Sequence, residues 1–372
     1  MRRVCVYVVV LAIAIALLSS VSAGAYNWSV QYAIDTSQSV FGVSQSPYPR
    51  DNRGLAISPD GRYLYAGYNN SYNSTGEVRK IDLTVSDYID ATVARTTGVR
   101  GKSIAVDDAG RVYLAEGSTI QVYDADLTAS MYSITTTKCE GLTVAREGGA
   151  LVLYGTDRTN KTLTRWELTE SGGSITGATA SGLDGDGVVS ITGASSLRGV
   201  EVDNSGNIWM ADQDANKVFR VDSAGGSLAS VDIATPMDLA FNGSSMLVTG
   251  YTSRAISVVG ADMSISSVLS VPWESLELDP DGQSAGGALS GIVAVGDGFY
   301  VTNETGQTAD EKSTYGRIDD NSGTIEGKFY TDTLYDDNDP ILHASVPEPG
   351  SLIALITGLV GLVGIASRRK RA

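Results

Sequence analysis

The chain has 372 residues and a formal net charge of −16 at pH 7. Setting aside Arg2, Arg3, Glu348 and the four basic residues at the C-terminal end leaves 21 basic and 42 acidic residues, a net −21 for the intervening body. That balance argues against nucleic acid or anionic lipid as a partner of the body. Cys139 is the only cysteine left there, so no internal disulfide can form.

In chain order, residues 1–25 come first. Arg2 and Arg3 precede an uncharged apolar run over residues 4–18, and small residues fill 19–25. This is the layout of a cleaved secretory signal, with two cleavage frames, one ending at Ala23 and one at Ala25. Cys5 stands at the start of the apolar run, the wrong place for a lipidated cysteine.

The body, residues 26–335, is rich in Gly, Ser, Thr and Tyr and poor in Lys, and no helical period persists in it. Instead one unit recurs. It has a short alternating strand, often opening on Gly, then an Asp, Asn or Gly turn, a second strand, a polar loop and a third strand. The clearest copies span residues 198–222, 54–83 and 103–123. Weaker ones begin at Gly141, Asp238 and Gly291. Turns such as Asp60-Gly61 and Asn242-Gly243 suit hairpins because both residue types tolerate positive φ. Paired apolar positions, such as Val200 with Val202, need cover on one face. Six units predict an all-β protein, a six-bladed β-propeller, with seven blades as an alternative and a pair of β-sandwiches as the runner-up. Residues 26–40 and 324–330 are expected to close the ring, a terminal strand completing a blade begun at the other end.

The unit around Gly199 resembles the NHL repeat, and the Ser58-Pro59-Asp60-Gly61 unit is similar to blades of lactonase-like and surface-layer propellers. The lactonase resemblance implies a channel metal held by Glu, Asn and Asp. Asp212, Glu116, Asp238, Glu201 and Asn303 are the candidates by position at strand ends. Comparable places in other units read Gly67, Gly155 and Gly250, so these acids are read here as solvated turn and loop residues. A metal-dependent lactonase-like hydrolase is therefore the alternative, and a non-enzyme the main reading. The only histidine, His343, sits in the acidic segment before the C-terminal motif, which leaves the body without the usual general base. Cys139 reads as a buried strand cysteine. Asp184-Gly185-Asp186-Gly187 and Asp279-Pro280-Asp281-Gly282 look like openings of calcium loops, but Ser195 and Ser290 stand where an EF-hand needs its closing Glu. No cofactor is expected, with calcium in these loops as the weaker alternative. Asn73 and Asn303 begin sequons that read as chance matches.

Residues 336–346 form an acidic linker. Pro347-Glu348-Pro349 follows, then an uncharged apolar stretch over 351–366 and the cluster Arg368, Arg369, Lys370 and Arg371. As a helix that stretch spans only ~24 Å, a mismatch that flanking residues and a thinner bilayer absorb. The basic cluster predicts a cytoplasmic end, with the body outside. The three parts together closely resemble the PEP-CTERM sorting signal. The resemblance implies recognition of Pro347, Glu348 and Pro349 by a membrane-embedded exosortase-type protease, with 351–366 as a temporary anchor. The expected protein is exported by signal peptidase, held briefly in the inner membrane, and delivered to the cell surface or medium. Binding or scaffolding toward extracellular polysaccharide or another surface protein is the expected role.

Overall fold

The computed structural model describes residues 30–33, 52–68, 76–84, 92–99, 101–270, 288–295, 298–304, 314–319 and 328–330. The predicted signal, acidic linker, His343, Asn73, the 279–282 loop and the whole C-terminal motif lie outside the described residues. Within them every regular element is a strand, and no helix there is long and apolar enough to cross a membrane.

The short strand β1 (Val30–Ala33) comes first. One antiparallel sheet follows, from β2 (Asn52–Ile57), β3 (Tyr63–Tyr68), β4 (Glu77–Asp82) and β5 (Thr92–Thr97). The next sheet runs through β6 (Ile104–Val106), β7 (Val112–Ala115), β8 (Gly117–Tyr123), β9 (Ser130–Glu147), β10 (Ala150–Asp157), β11 (Thr162–Ser171) and β12 (Ser174–Ala180), with β13 (Val188–Ser190) paired to β11. A third holds β14 (Leu197–Val202), β15 (Ile208–Asp212), β16 (Lys217–Val221) and β17 (Ser227–Asp232). A fourth holds β18 (Pro236–Phe241), β19 (Met246–Gly250), β20 (Ala255–Val259) and β21 (Ile265–Ser270). The last contains β22 (Ala288–Val295), β23 (Gly298–Glu304), β24 (Thr314–Asp319) and β25 (Lys328–Tyr330), and β1 joins it.

Two features refine the expectation. First, the units at 103–123 and at Gly141 share one strand: the start of β9 pairs with β8, and its end pairs with β10. Second, β1 pairs antiparallel with β24 and parallel with β25, so the N-terminal strand completes the last sheet. Of the segments 26–40 and 324–330, residues 30–33 and 328–330 thus pair within one sheet, as expected of a terminal strand that completes a sheet begun at the other end.

The predicted turns form as the residue chemistry requires. Asp203 Oδ1 accepts the amide hydrogens of Ser205 (2.8 Å) and Asn207 (3.0 Å), and Gly206 takes φ 77°. Asp107 does the same for Ala109 and Arg111, with Gly110 at φ 81°. A short polar side chain thus satisfies turn amides that the ladder leaves over.

The apolar core lies between neighbouring units, not within one. Val152, Tyr154 and Leu163 pack with Val200, Ile208 and Met210. Trp209 and Ala211 pack with Leu239 and Val248. Leu55 and Leu64 pack with Tyr300, joining the first unit to the last. The first strands touch in sequence, β2 with β6, β6 with β9, β9 with β14, β14 with β18, and β18 with β22, and β22 touches β2. Recurrent glycines permit that approach. A Cβ on Gly54 would stand 2.7 Å from the Gly101 carbonyl oxygen, and one on Gly141 would collide with that of Arg198.

Candidate functional site

Matching short stretches of β2, β6, β9, β14, β18 and β22, with Ser103 just before β6, line one central cavity of about 260 Å³. Aligned by strand position, one row reads Gly54, Ser103, Gly141, Gly199, Asp238 and Gly291, of which Gly54, Ser103 and Asp238 line the cavity. Two places later the row reads Ala56, Ala105, Thr143, Glu201, Ala240 and Val293. Asp238 and Glu201 are the two acids in rows otherwise made of small or apolar residues and two hydroxyls.

Each is held across a seam between units. Asp238 Oδ2 accepts the Ile292 amide hydrogen at 3.1 Å. Ser103 Oγ accepts that of Leu142 at 2.9 Å from the equivalent place three seams away. Glu201 Oε1 accepts from Thr143 Oγ1 at 3.1 Å and from the Val202 amide at 2.9 Å. Thr249 Oγ1 donates to the Ser290 carbonyl at 2.8 Å beside them. Polar side chains thus take up strand-edge groups that face a neighbour without a full ladder.

Protein surrounds both carboxyls, while the cavity leaves each partly wetted. Burial pushes Glu201 up to about 7, against smaller opposing effects of its hydrogen bonds from Val202 and Thr143. Burial also pushes Asp238 up to about 7, and the Glu201 charge adds to the rise. Such groups hold or release a proton near neutrality. These two acids depart from the expectation of solvated turn residues, because a first strand whose neighbours crowd both faces has no outward side.

Asp212 and Glu116 do not line the cavity. Asp212 is fully buried at a turn, where its carboxylate accepts the amide hydrogens of Ser195 (2.6 Å), Ser196 (2.9 Å) and Ala215 (2.9 Å). Glu116 stands at the turn between β7 and β8, its amide bonded to the Thr119 carbonyl at 2.8 Å. Asn303 lies in β23, and its side chain is outside the described residues. Among the described residues no group of three or more His, Cys, Asp or Glu side chains could hold a metal ion. Two carboxyls alone fall short of the six to eight oxygens calcium takes. In the 184–187 loop, Asp186 Oδ1 is bonded to the Val188 amide at 3.0 Å. Cys139 is buried, as expected, and burial pushes its thiol far above the ordinary value.

No protein-family model matches the chain, and no curated protein matches it. Among solved structures, a protein of unknown function from Bacteroides caccae is 16% identical, with a TM-score of 0.50 over 69% of this chain and 90% of its own. The structure of U3-55K is 10% identical, with a TM-score of 0.52 over 76% of this chain and 82% of its own. A catalytically inactive virginiamycin B lyase from Staphylococcus aureus is 14% identical over 74% of this chain and 97% of its own, and its TM-score of 0.46 is too low to carry an argument. At these identities the likeness to the first two speaks to the fold alone.

Proposed function

We propose that this chain is an exported six-bladed β-propeller, sorted through its Pro-Glu-Pro tail, that binds or scaffolds at the cell surface. One observation carries the reading. Among the described residues, the first paired strand begins at Val30, and the last ends at Tyr330. The folded body therefore fits between the predicted cuts after Ala23 or Ala25 and at Pro347-Glu348-Pro349. Both cuts leave the pairing of β1 with β24 and β25 untouched, so processing costs the ring nothing. A ring closed by its own termini also stabilises a body that has no internal disulfide.

The body's role follows from how its channel acids are used. Glu201 and Asp238 accept hydrogen bonds that tie neighbouring units, the work of a rigid frame. Their raised pKa values are the observation that favours the alternative, a lactonase-like hydrolase. The residues that could hold a metal there, Glu201 and Asp238, would need ligands from outside the described residues.

The sorting claim is tested by replacing Pro347, Glu348 and Pro349 with alanine and fractionating the cells. The variant is expected to stay in the membrane while the unaltered chain reaches the surface or medium. An identical distribution of both chains would refute recognition of the motif.

A further inference from the structure

The turn between β18 and β19, Asn242-Gly243-Ser244-Ser245, holds the one Asn-Gly pair of the chain. Asn242, Gly243 and Ser244 are exposed. Asn242 heads this turn as Asp107 and Asp203 head theirs. Its Oδ1 accepts the amide hydrogens of Ser244 (3.1 Å) and Ser245 (2.8 Å) and the hydroxyl hydrogen of Ser244 (3.1 Å). Three donors on one side-chain carbonyl oxygen draw electron density away from Cγ and are already placed to take the charge of an oxyanion.

A nucleophile for that carbon is next in the chain. Gly243 has no side chain to crowd its nitrogen, it takes φ 92°, and a Cβ there would meet nothing within 4 Å. Among the described residues its amide hydrogen has no acceptor. In the two kindred turns the residue after the heading aspartate is Asp108 or Asn204, each with a side chain next to the corresponding nitrogen.

We infer that Asn242 is a site of self-modification, where the Gly243 nitrogen attacks Asn242 Cγ and the side-chain amide is lost. The new N–Cγ bond closes a succinimide ring, and the leaving nitrogen departs as ammonia with the proton that Gly243 gives up. Water then opens the ring. Attack at Cγ gives aspartate, and attack at the main-chain carbonyl gives isoaspartate, linked through the side chain. Aspartate suits the place, because Asp107 and Asp203 already accept turn amides through Oδ1 there. Isoaspartate lengthens the main chain within a tight hairpin. It also displaces Gly243, whose carbonyl accepts from Asn204 Nδ2 at 3.2 Å across the seam to the neighbouring unit.

Asn242 directly follows Phe241, a cavity-lining residue, as Asp107 follows Val106 and Asp203 follows Val202. The conversion therefore adds a further turn-heading carboxylate at this end of the first strands, and one more negative charge to the body. It needs no enzyme, and it stands whichever way the tail experiment falls.

The test is peptide mapping by mass spectrometry of the purified full chain after incubation in mildly alkaline buffer made with heavy-oxygen water, once folded and once in urea. The folded chain is expected to convert Asn242 with heavy oxygen in the new carboxyl, while Asn204, which precedes a serine, keeps its amide. Ser244→Ala removes one donor to Oδ1 and is expected to slow conversion about fivefold in the folded chain only. Asn242→Asp is expected to unfold at the temperature of the unaltered protein. Asn242 left intact in the folded chain, whatever happens in urea, would overturn the proposal, since the turn would then protect the side chain. Folded Ser244→Ala converting as fast as its parent would overturn the role of the oxygen's donors, and a lower unfolding temperature for Asn242→Asp would contradict the fit of the product.

Discussion

Glu201 and Asp238 make the stability of this protein depend on pH in an unusual direction. Both carboxyls are pushed up to about 7 in the folded chain, from ordinary values of 4.5 and 3.8. Between about pH 4 and pH 7 the folded state therefore holds protons that the unfolded chain has released. Folding takes up protons in that window, so this contribution is full below pH 4 and is lost as pH rises through 7. At about 1.4 kcal/mol per pKa unit, the Glu201 separation corresponds to about 3 kcal/mol. Both residues line the cavity and are only half-buried, and solvent screening there reduces the figure to about 2 kcal/mol for each. Glu201→Gln keeps an acceptor for Thr143 and Val202 but cannot ionise, and Asp238→Asn keeps one for Ile292. Urea unfolding at pH 5 and pH 8 reads the effect. The unaltered protein is expected to lose more stability between the two pH values than either variant, by about 2 kcal/mol, with little change in m. The reasoning is refuted if both variants lose as much as the parent, since the carboxyls would then be ionised in the folded state too.

Three further outcomes follow from the geometry. Gly141→Ala drives a methyl group into the Arg198 carbonyl oxygen, and an expected loss of about 1–3 kcal/mol should appear as a lower denaturation midpoint. Asp203→Ala removes the acceptor of two turn amides and of Trp209 Nε1, so about 3 kcal/mol should be lost, with Asp203→Asn losing less. Cys139 should resist thiol reagents in the native protein and react only after unfolding, because burial disfavours its thiolate; prompt native labelling would contradict that placement.

Much of the fold is legible in the residues because turn chemistry is local. Asp203 with Gly206 and Asp107 with Gly110 announce their hairpins by side-chain and backbone requirements four residues wide. The recurrent glycine at the head of the first strand is visible too, although its reason, contact with the next unit, is not local. The continuity of β9 is harder to read. Residues 130–140 offer no Gly or Pro and carry β-branched Ile134 to Thr137, which favour an unbroken strand, yet the repeat pattern invites a loop there. The channel acids show the limit most clearly. In the aligned rows Glu201 interrupts alanines, a threonine and a valine, and Asp238 interrupts glycines and a serine, which is a signal of sorts. That the two influence each other's ionisation depends on how neighbouring units are rotated, and no spacing along the chain encodes that angle. Charged positions such as Glu140 and Arg198 lie 58 residues apart and meet for the same reason.

The most direct test of the account is the intact mass of the native protein recovered from its producing cells. The account predicts a chain beginning at Gly24 or Tyr26 and ending at or near Pro347-Glu348-Pro349, with the folded body unbroken between them. A native mass that retains residues 351–372 would instead describe a permanently anchored protein and contradict release through the tail.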